Sequence, residues 1–336
     1  MAAEAIAVAH PGRSRRYRIV VEHLQAGLFL LPALLLLGIF KVFPALFAIY
    51  ISFFRWDVIQ GAFRGLENYA DVLWASPVRA EAFWRALGTT LTYVLMTIPF
   101  EMGFALVIAY VLFQKLRGRT IYRTAYYLPY VTSTVAAATV FFWIFHPQYG
   151  LLNAALGLIG ISDLQWLQEP DGVFQMMGRA VGLAVPGWAA GPSLALVAIS
   201  IFSIWHFLGF QIVIFLAGLG NIPEEYYEAA KLDGASGRQL FTNITLPLLS
   251  PHIFFVFTIA SIGVFRAFNE IYVLTFPPLL GGPLDTTRTL NVLVFRTFFQ
   301  QGQIGLGSAL GVILTLVILA FTIVQFRVLE RRVVYQ

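Results

Sequence analysis

The chain has 336 residues, of which 59% are hydrophobic and only 12% charged, and its net charge is +5. So little polar surface cannot clothe a soluble globule of this length, which leaves a membrane protein that crosses the bilayer several times. The absence of cysteine excludes disulfides and thiolate metal sites. In chain order, residues 1–26 form a tail holding Arg13, Arg15, Arg16 and Arg18. The next stretch, the apolar run Gly27 to Ser52, is too long for a signal-peptide core and lacks a small-residue cleavage site, so it reads as an uncleaved anchor. Further runs near the ~20 residues needed to cross a bilayer lie at Leu87 to Phe113, Thr124 to Phe145, Pro192 to Leu219, Pro251 to Leu274 and Gly305 to Phe326. The expected fold is therefore all-α, a polytopic membrane protein of six transmembrane helices. Residues 27–326 make its membrane domain and 327–336 a C-terminal tail.

Between the runs, Phe53 to Ala86 is a loop of mixed charge, and QKLRGRTIYR after the second run is basic with no acid. The third run contains Pro129. Residues 172–191, GVFQMMGRAVGLAVPGWAAG, are apolar but broken by Pro186 and by glycines. If they crossed the bilayer, the polar segment after the fourth run would change sides. They read instead as an interfacial or re-entrant segment on the outer face, with Trp188 suited to an interface.

Orientation follows from Lys and Arg. With the N-terminus inside, one side holds Arg13, Arg15, Arg16, Arg18, Lys115, Arg117, Arg119, Arg123, Lys231, Arg238, Arg327, Arg331 and Arg332. The other holds Arg55, Arg64, Arg79, Arg85, Arg179, Arg288 and Arg296. This bias puts both termini, and the loop between the fourth and fifth runs, in the cytoplasm.

That loop, NIPEEYYEAAKLDGASGRQLFTNITLPLLSP from Asn221, is the one long polar segment in the C-terminal half. Asn221 with Glu224 has the spacing of a capping box, and Glu224 and Glu225 suit a helix N-terminus. Gly234 is placed to end that helix in a left-handed conformation, and Ser236 with Gln239 repeats the capping-box spacing for a second. Leu240, Phe241, Ile244 and Leu248 fall on one face of the second helix, while Ala229 and Ala230 leave the first open to close approach.

The positions Glu228-Ala229-Ala230, then Asp233-Gly234-Ala235, then Ile244, Leu246 and Pro247 resemble the EAA loop of membrane subunits of ABC-type importers, in their carbohydrate-uptake branch. The stretches GLENY, HPQYGLLNAALGLIG and Gly281-Gly282-Pro283 before Thr286 and Thr287 also look like that family, whereas residues 172–191 and the extra PPLL ahead of Gly281 depart from it. The resemblance implies a cytoplasmic helix-turn-helix at 221–250 that seats on a separate ATPase. It also implies a second, similar permease, an ATPase dimer, an extracytoplasmic solute-binding protein and a sugar substrate, in the inner membrane, with glycerol phosphate or another polyol as the alternative cargo. No nucleic acid partner and no cofactor are expected.

The absences agree. Lys41, Lys115 and Lys231 are the chain's lysines, and none closes a Gly-rich Walker loop, so ATP hydrolysis is expected elsewhere. The five histidines, His10, His23, His146, His206 and His252, show no metal spacing. An ion-gradient-driven carrier or channel is the competing reading, because Lys41, Glu101, Arg266 and Glu270 are charges inside apolar runs. Arg266 and Glu270 stand four apart, as an intrahelical pair would, with Asn269 beside them. These three are the candidate translocation-pathway residues.

Overall fold

The computed structural model describes residues 15–114, 118–161, 164–275, 280–330 and 333. Arg13, Lys115, Arg117, Arg331 and Arg332 from the orientation argument lie outside the described residues, as do the first three residues of PPLL, 277–279. The first apolar run is helical throughout. α1 (Arg15–Leu37) passes through a wider π turn at Gly38–Val42, which carries Lys41, into α2 (Phe43–Ser52). Glu22–Ser52 is one apolar stretch of 31 residues, about 46 Å at ~1.5 Å per residue, ample for a ~30 Å hydrocarbon core.

A short antiparallel hairpin comes next, β1 (Phe54–Trp56) with β2 (Gln60–Phe63), in which Phe54 faces Phe63 and Trp56 faces Gln60. This departs from the all-helical expectation. Aromatic residues suit a pleated ribbon, and Gly61 lets its strands close up, since a Cβ there would lie 2.6 Å from the Arg55 carbonyl. Beyond the hairpin lie α3 (Glu67–Ala70), a π turn at Asp71–Ala75, and α4 (Pro77–Phe113), which begins ten residues before the predicted start because Ser76 and Pro77 form its N-terminus.

The third run is not a continuous span. It folds as α5 (Arg119–Val131) and α6 (Thr134–Ile144), bent by 97° at Thr132 and Ser133, both in extended backbone. The Thr132 hydroxyl donates to the Pro129 carbonyl at 2.6 Å, so the broken end of α5 satisfies its own acceptor. At about 20 Å and 17 Å neither piece crosses a bilayer alone. Two short helices, α7 (Leu151–Gly157) and α8 (Val173–Ala180), continue the chain. The 172–191 segment holds no span: α8 is only eight residues long, and the chain doubles back through a bridge between Gly172 and Ser193.

α9 (Leu194–Gly220) leads into α10 (Glu224–Leu232). Then α11 (Gly237–Gln239), a π turn at Leu240–Thr245 and α12 (Leu246–Phe265) form one apolar helix of 29 residues. This fifth run therefore begins and ends earlier than the predicted Pro251 to Leu274, and α13 (Asn269–Thr275) is a separate helix. α14 (Leu290–Phe295), a π turn at Arg296–Gln300 and α15 (Ile304–Leu329) complete the fold. Among the described residues, five helices are long and apolar enough to cross a membrane, or six if α5 and α6 make one broken span.

α9 is the centre of the packing: 56% of its most apolar stretch is buried within the chain, against 6% for the first span. Ile199 and Phe202 on α9 join Tyr93 and Ile98 on α4, Ala138 on α6 and Ile271 on α13 in one apolar cluster. Farther along, Ile212, Phe215 and Leu219 join Ala105, Ala109 and Leu112 of α4 and Leu249 and Val256 of α12 in a second. Where a neighbour packs directly on the α9 backbone, glycine is required. A Cβ at Gly209 would sit 2.1 Å from the Tyr126 carbonyl of α5, and one at Gly218 would meet the His252 ring and Leu249 of α12 at 2.6 Å.

Gly209→Ala is accordingly expected to lower the thermal midpoint of the detergent-purified protein, through overpacking worth about 1–3 kcal/mol. Gly103→Ala on α4, where an added Cβ meets nothing within 4 Å, is expected to be neutral or to stabilise by up to about 1 kcal/mol. Equal responses of the two variants in a tryptophan-fluorescence melt would rule out the α5–α9 contact.

Candidate functional site

The polar loop and a cavity in the helix bundle lie at opposite ends of α12. At the loop, Asn221 is the C-cap of α9, donating its backbone N–H to the Gly218 carbonyl, and does not form the expected capping box with Glu224. Pro223 intervenes: it takes the N-cap position, and the helix starts immediately after it with no side-chain cap. Glu224 and Glu225 still occupy the first turn, where the helix dipole favours them. α10 ends as the sequence indicates. Gly234 has φ +79°, its N–H donates to the Lys231 carbonyl at 3.1 Å, and the Ala235 N–H donates to the Ala230 carbonyl at 2.9 Å. This pair of bonds is a Schellman closure.

The second capping box is formed. Ser236 Oγ accepts from the Gln239 N–H, and Gln239 Oε1 accepts from the Ser236 N–H at 2.8 Å. It opens the first turns of the α11–α12 span rather than a second short helix. Glu228, Ala229, Asp233 and Gly234 are exposed, while Ala230, Ala235, Ile244, Leu246 and Pro247 are half-buried. Ala230, Asp233, Gly234, Ala235 and Ile244, together with Gln239 and Asn243, enclose a cleft of about 320 Å³. Glu228 and Ala229 stand on the open helix surface, and Pro247 sits in the first turn of α12. Two anchors escaped sequence reasoning. The Tyr227 hydroxyl bonds Thr245 Oγ1 at 3.1 Å, and the rings of Tyr110 on α4 and Phe241 lie 4.8 Å apart.

The cavity, of about 230 Å³, lies among α4, α5, α9, α12 and α13. Tyr93 and Glu101 line it from one face of α4, and Ser203, Phe207, Phe210 and Gln211 from one face of α9. Tyr130 of α5, Gly263 of α12 and Glu270 of α13 complete its polar and close-packed parts. The Tyr93 hydroxyl and Ser203 Oγ share a 2.5 Å hydrogen bond. Gln211 Nε2 donates to Glu101 Oε1 at 2.5 Å, whereas Gln211 Oε1 is buried with no partner.

Of the three predicted pathway residues, Glu270 alone lines this cavity. The expected intrahelical pair does not form. α12 stops at Phe265, Arg266 is its C-cap, and a new helix opens at Asn269, so Arg266 and Glu270 share no helical face. The Arg266 and Ala267 N–H groups bond the Gly263 and Val264 carbonyls three residues back, a tightening that closes a helix end. Arg266 and Asn269 are not buried as Glu270 is: both are exposed, whereas Glu270 is buried.

The other family-like stretches prove to be scaffolding. Asn68 of GLENY, 2% exposed, donates to the Ser52 and Phe54 carbonyls at 2.8 and 2.9 Å and so ties the hairpin to the first span. Asn153 likewise donates to the Pro147 and Leu164 carbonyls and accepts from the Trp166 indole. Beyond Gly281 and Gly282, Asp285 holds both Arg288 and Arg296. Among the described residues no cluster of His, Asp and Glu could hold a metal ion.

Residues 72–335 match the family described as "Binding-protein-dependent transport system inner membrane component". The chain is 32% identical over 308 residues to the "Probable ABC transporter permease protein YesP" of Bacillus subtilis (strain 168), covering 91% of this chain and 90% of that one. It is 32% identical over 304 residues to the "Trehalose/maltose transport system permease protein MalF" of Thermococcus litoralis, covering 90% and 92%. Its fold is similar to a chain in the crystal structure of a bacterial ABC transporter involved in the import of the acidic polysaccharide alginate. That likeness has a TM-score of 0.73 at 21% identity and covers 95% of this chain and 99% of the other.

Gly234→Val would force a β-branched residue into positive φ at a local cost of about 1–3 kcal/mol. Trypsin is expected to cut faster at Lys231 and Arg238 in this variant while the thermal midpoint of the membrane body stays put. Unchanged cleavage would mean that Gly234 does not hold the turn.

Proposed function

The chain belongs to the family of binding-protein-dependent transport system inner membrane components, and from that premise we propose how it works as the permease subunit of an ABC importer. The observation that carries the reading is the loop: a stiffly closed helix-turn in which Glu228, Ala229, Asp233 and Gly234 are exposed and the other EAA-type residues half-buried, while Tyr227 and Phe241 fasten it to the bundle. An exposed, well-capped element on a rigid seat is what a separate ATPase can grip. Ala230, Asp233, Gly234, Ala235 and Ile244 form the socket, and Glu228, Ala229, Leu246 and Pro247 shape its surroundings.

In this reading α5 and α6 together make one broken third span, so the chain crosses the inner membrane six times. The 1–26 tail, the 221–250 loop and the 327–336 tail are cytoplasmic, and the 172–191 segment lies on the outer side. The apolar surface of α1 and α2, largely uncovered within this chain, is available to lipid and to a second permease. The cavity is this subunit's share of the pathway. A solute-binding protein delivers the solute from outside, and an ATPase dimer drives the change of access through the loop. The trehalose/maltose role in the name of the Thermococcus relative supports a sugar or oligosaccharide as cargo, with glycerol phosphate or another polyol as the alternative. The ion-gradient carrier is not favoured, because the family model and the relatives belong to binding-protein-dependent and ABC transport.

Ala230→Asp and Gly234→Val are each expected to leave membrane insertion intact, to lower ATP-driven sugar uptake at least tenfold, and to weaken retention of the ATPase during purification. Because the chain has no cysteine of its own, Ser236→Cys and Asp285→Cys report topology directly. The first should label from the cytoplasm and the second from outside. Normal uptake in both loop variants, or labelling of Ser236→Cys from outside, would overturn the proposal.

A further inference from the structure

The cavity's chemistry is one-sided. Its ionisable lining groups are Glu101, Glu270 and the phenols of Tyr93 and Tyr130, and its lining includes no Lys, Arg or His among the described residues. Two positive charges of the apolar runs do not help: Arg266 is exposed beyond the end of α12, and Lys41 is exposed in the first span. The Tyr93 hydroxyl is already engaged with Ser203, and the Gln211 amide N–H is engaged with Glu101. What the cavity still offers is acceptor capacity. Gln211 Oε1 is buried without a donor, and both Glu carboxyl groups lie on the wall. A buried acceptor without a donor is costly, so a solute that brings O–H groups is favoured over one that brings more acceptors.

The aromatic part of the lining is a platform. The Tyr130 and Phe210 rings stack at 5.0 Å, with Phe207 edge-on to Tyr130 at 6.4 Å. This apolar surface suits the C–H face of a sugar ring but offers nothing to an anion. A carboxylate or phosphate would lose its water here with no cation to replace it, next to two acidic side chains.

We infer that this cavity passes an uncharged, hydroxyl-rich solute and excludes anionic ones, because its wall offers an anion no cation in exchange for its water; the inference rests on the reading of the cavity as part of the pathway. It deepens that reading by removing uronate-bearing sugars and glycerol phosphate from the cargo classes.

The test does not need the cargo to be known. Gly263 lines the cavity, and a Cβ built there meets nothing within 4 Å, so Gly263→Cys places a single thiol in open space. The full assembly, co-expressed with its partner subunits and reconstituted in permeabilised proteoliposomes, is treated with three thiosulfonates: neutral methyl, cationic trimethylammonioethyl and anionic sulfonatoethyl. In each case the thiolate attacks the thiosulfonate sulfur, a mixed disulfide forms and a sulfinate leaves. Rates are divided by those of 2-mercaptoethanol, which removes the reagents' intrinsic differences. The anionic-to-neutral ratio is expected to fall at least tenfold below the solution value, with the cationic reagent as fast as the neutral one or faster. Adding Ile259→Lys or Ala260→Lys, which puts the missing cation on the wall, should raise the anionic rate several-fold and leave the neutral rate unchanged. Because each Lys change is read separately, a failure of one to assemble leaves the other as the test. An anionic-to-neutral ratio equal to that of 2-mercaptoethanol, or one insensitive to the Lys change, would overturn the exclusion of anions while leaving the cavity on an aqueous path. No reaction with any reagent, with or without ATP, would overturn the reading of the cavity as a pathway and the exclusion with it.

Discussion

The close approach of α5 and α12 to the backbone of α9 is the constraint on which the rest of this structure depends. In a bilayer, lipid tails are as apolar as leucine, so helices gain little by hiding apolar faces from their surroundings. Close approach and interhelical hydrogen bonds must do that work. Gly209 and Gly218 permit the approach to α5 and α12. The bonds Tyr93 to Ser203, Glu101 to Gln211, Thr134 to His206 and Ser261 to Gln325 then cross between helices at depth. Once α9 is fixed in this way, the cavity wall and the seat of the loop are fixed with it.

The same geometry joins the two candidate sites mechanically. The helix from Gly237 to Phe265 has its first turn in the loop and its last turns, Gly263 and Val264, on the cavity wall. α9 runs the other way, from Ser203 and Gln211 at the cavity to Gly220 beside the loop. Both are continuous hydrogen-bonded rods, so a displacement applied at the loop is carried to the cavity without a separate relay. The π turn at Leu240–Thr245 is the point where that rod departs from α geometry. It sits between the exposed grip and the packed shaft.

The intramembrane charges are handled in different ways, according to what lies beside them. Glu101 meets the Gln211 amide, Glu270 is buried at the start of α13, and Lys41 rides in a π turn on an uncovered helix. The two acids are withdrawn into the bundle, whereas Lys41 is left on a surface that this chain does not cover. Only the first two lie on the cavity wall, so its carboxyl groups have no basic group beside them in that lining although the whole chain is basic.

What the sequence determined by itself is what depends on a short window. Composition and the apolar runs give a multi-pass membrane protein, and Gly234, Ser236 and Gln239 give the turn of the loop, because caps are made by residues within five positions of one another. The same locality explains the miss at Asn221, where a nearby proline took the cap position. The tertiary structure decided the rest: the break at Thr132 and Ser133, the helix end at Phe265, and the meeting of Tyr93 with Ser203 and Glu101 with Gln211 across 110 positions of chain. An apolar run in a bilayer lacks the polar and apolar contrast that marks helix ends and buried faces in water. Where such a helix stops, and which of its few polar groups face each other, is settled only when the helices pack and every buried donor and acceptor must find a partner.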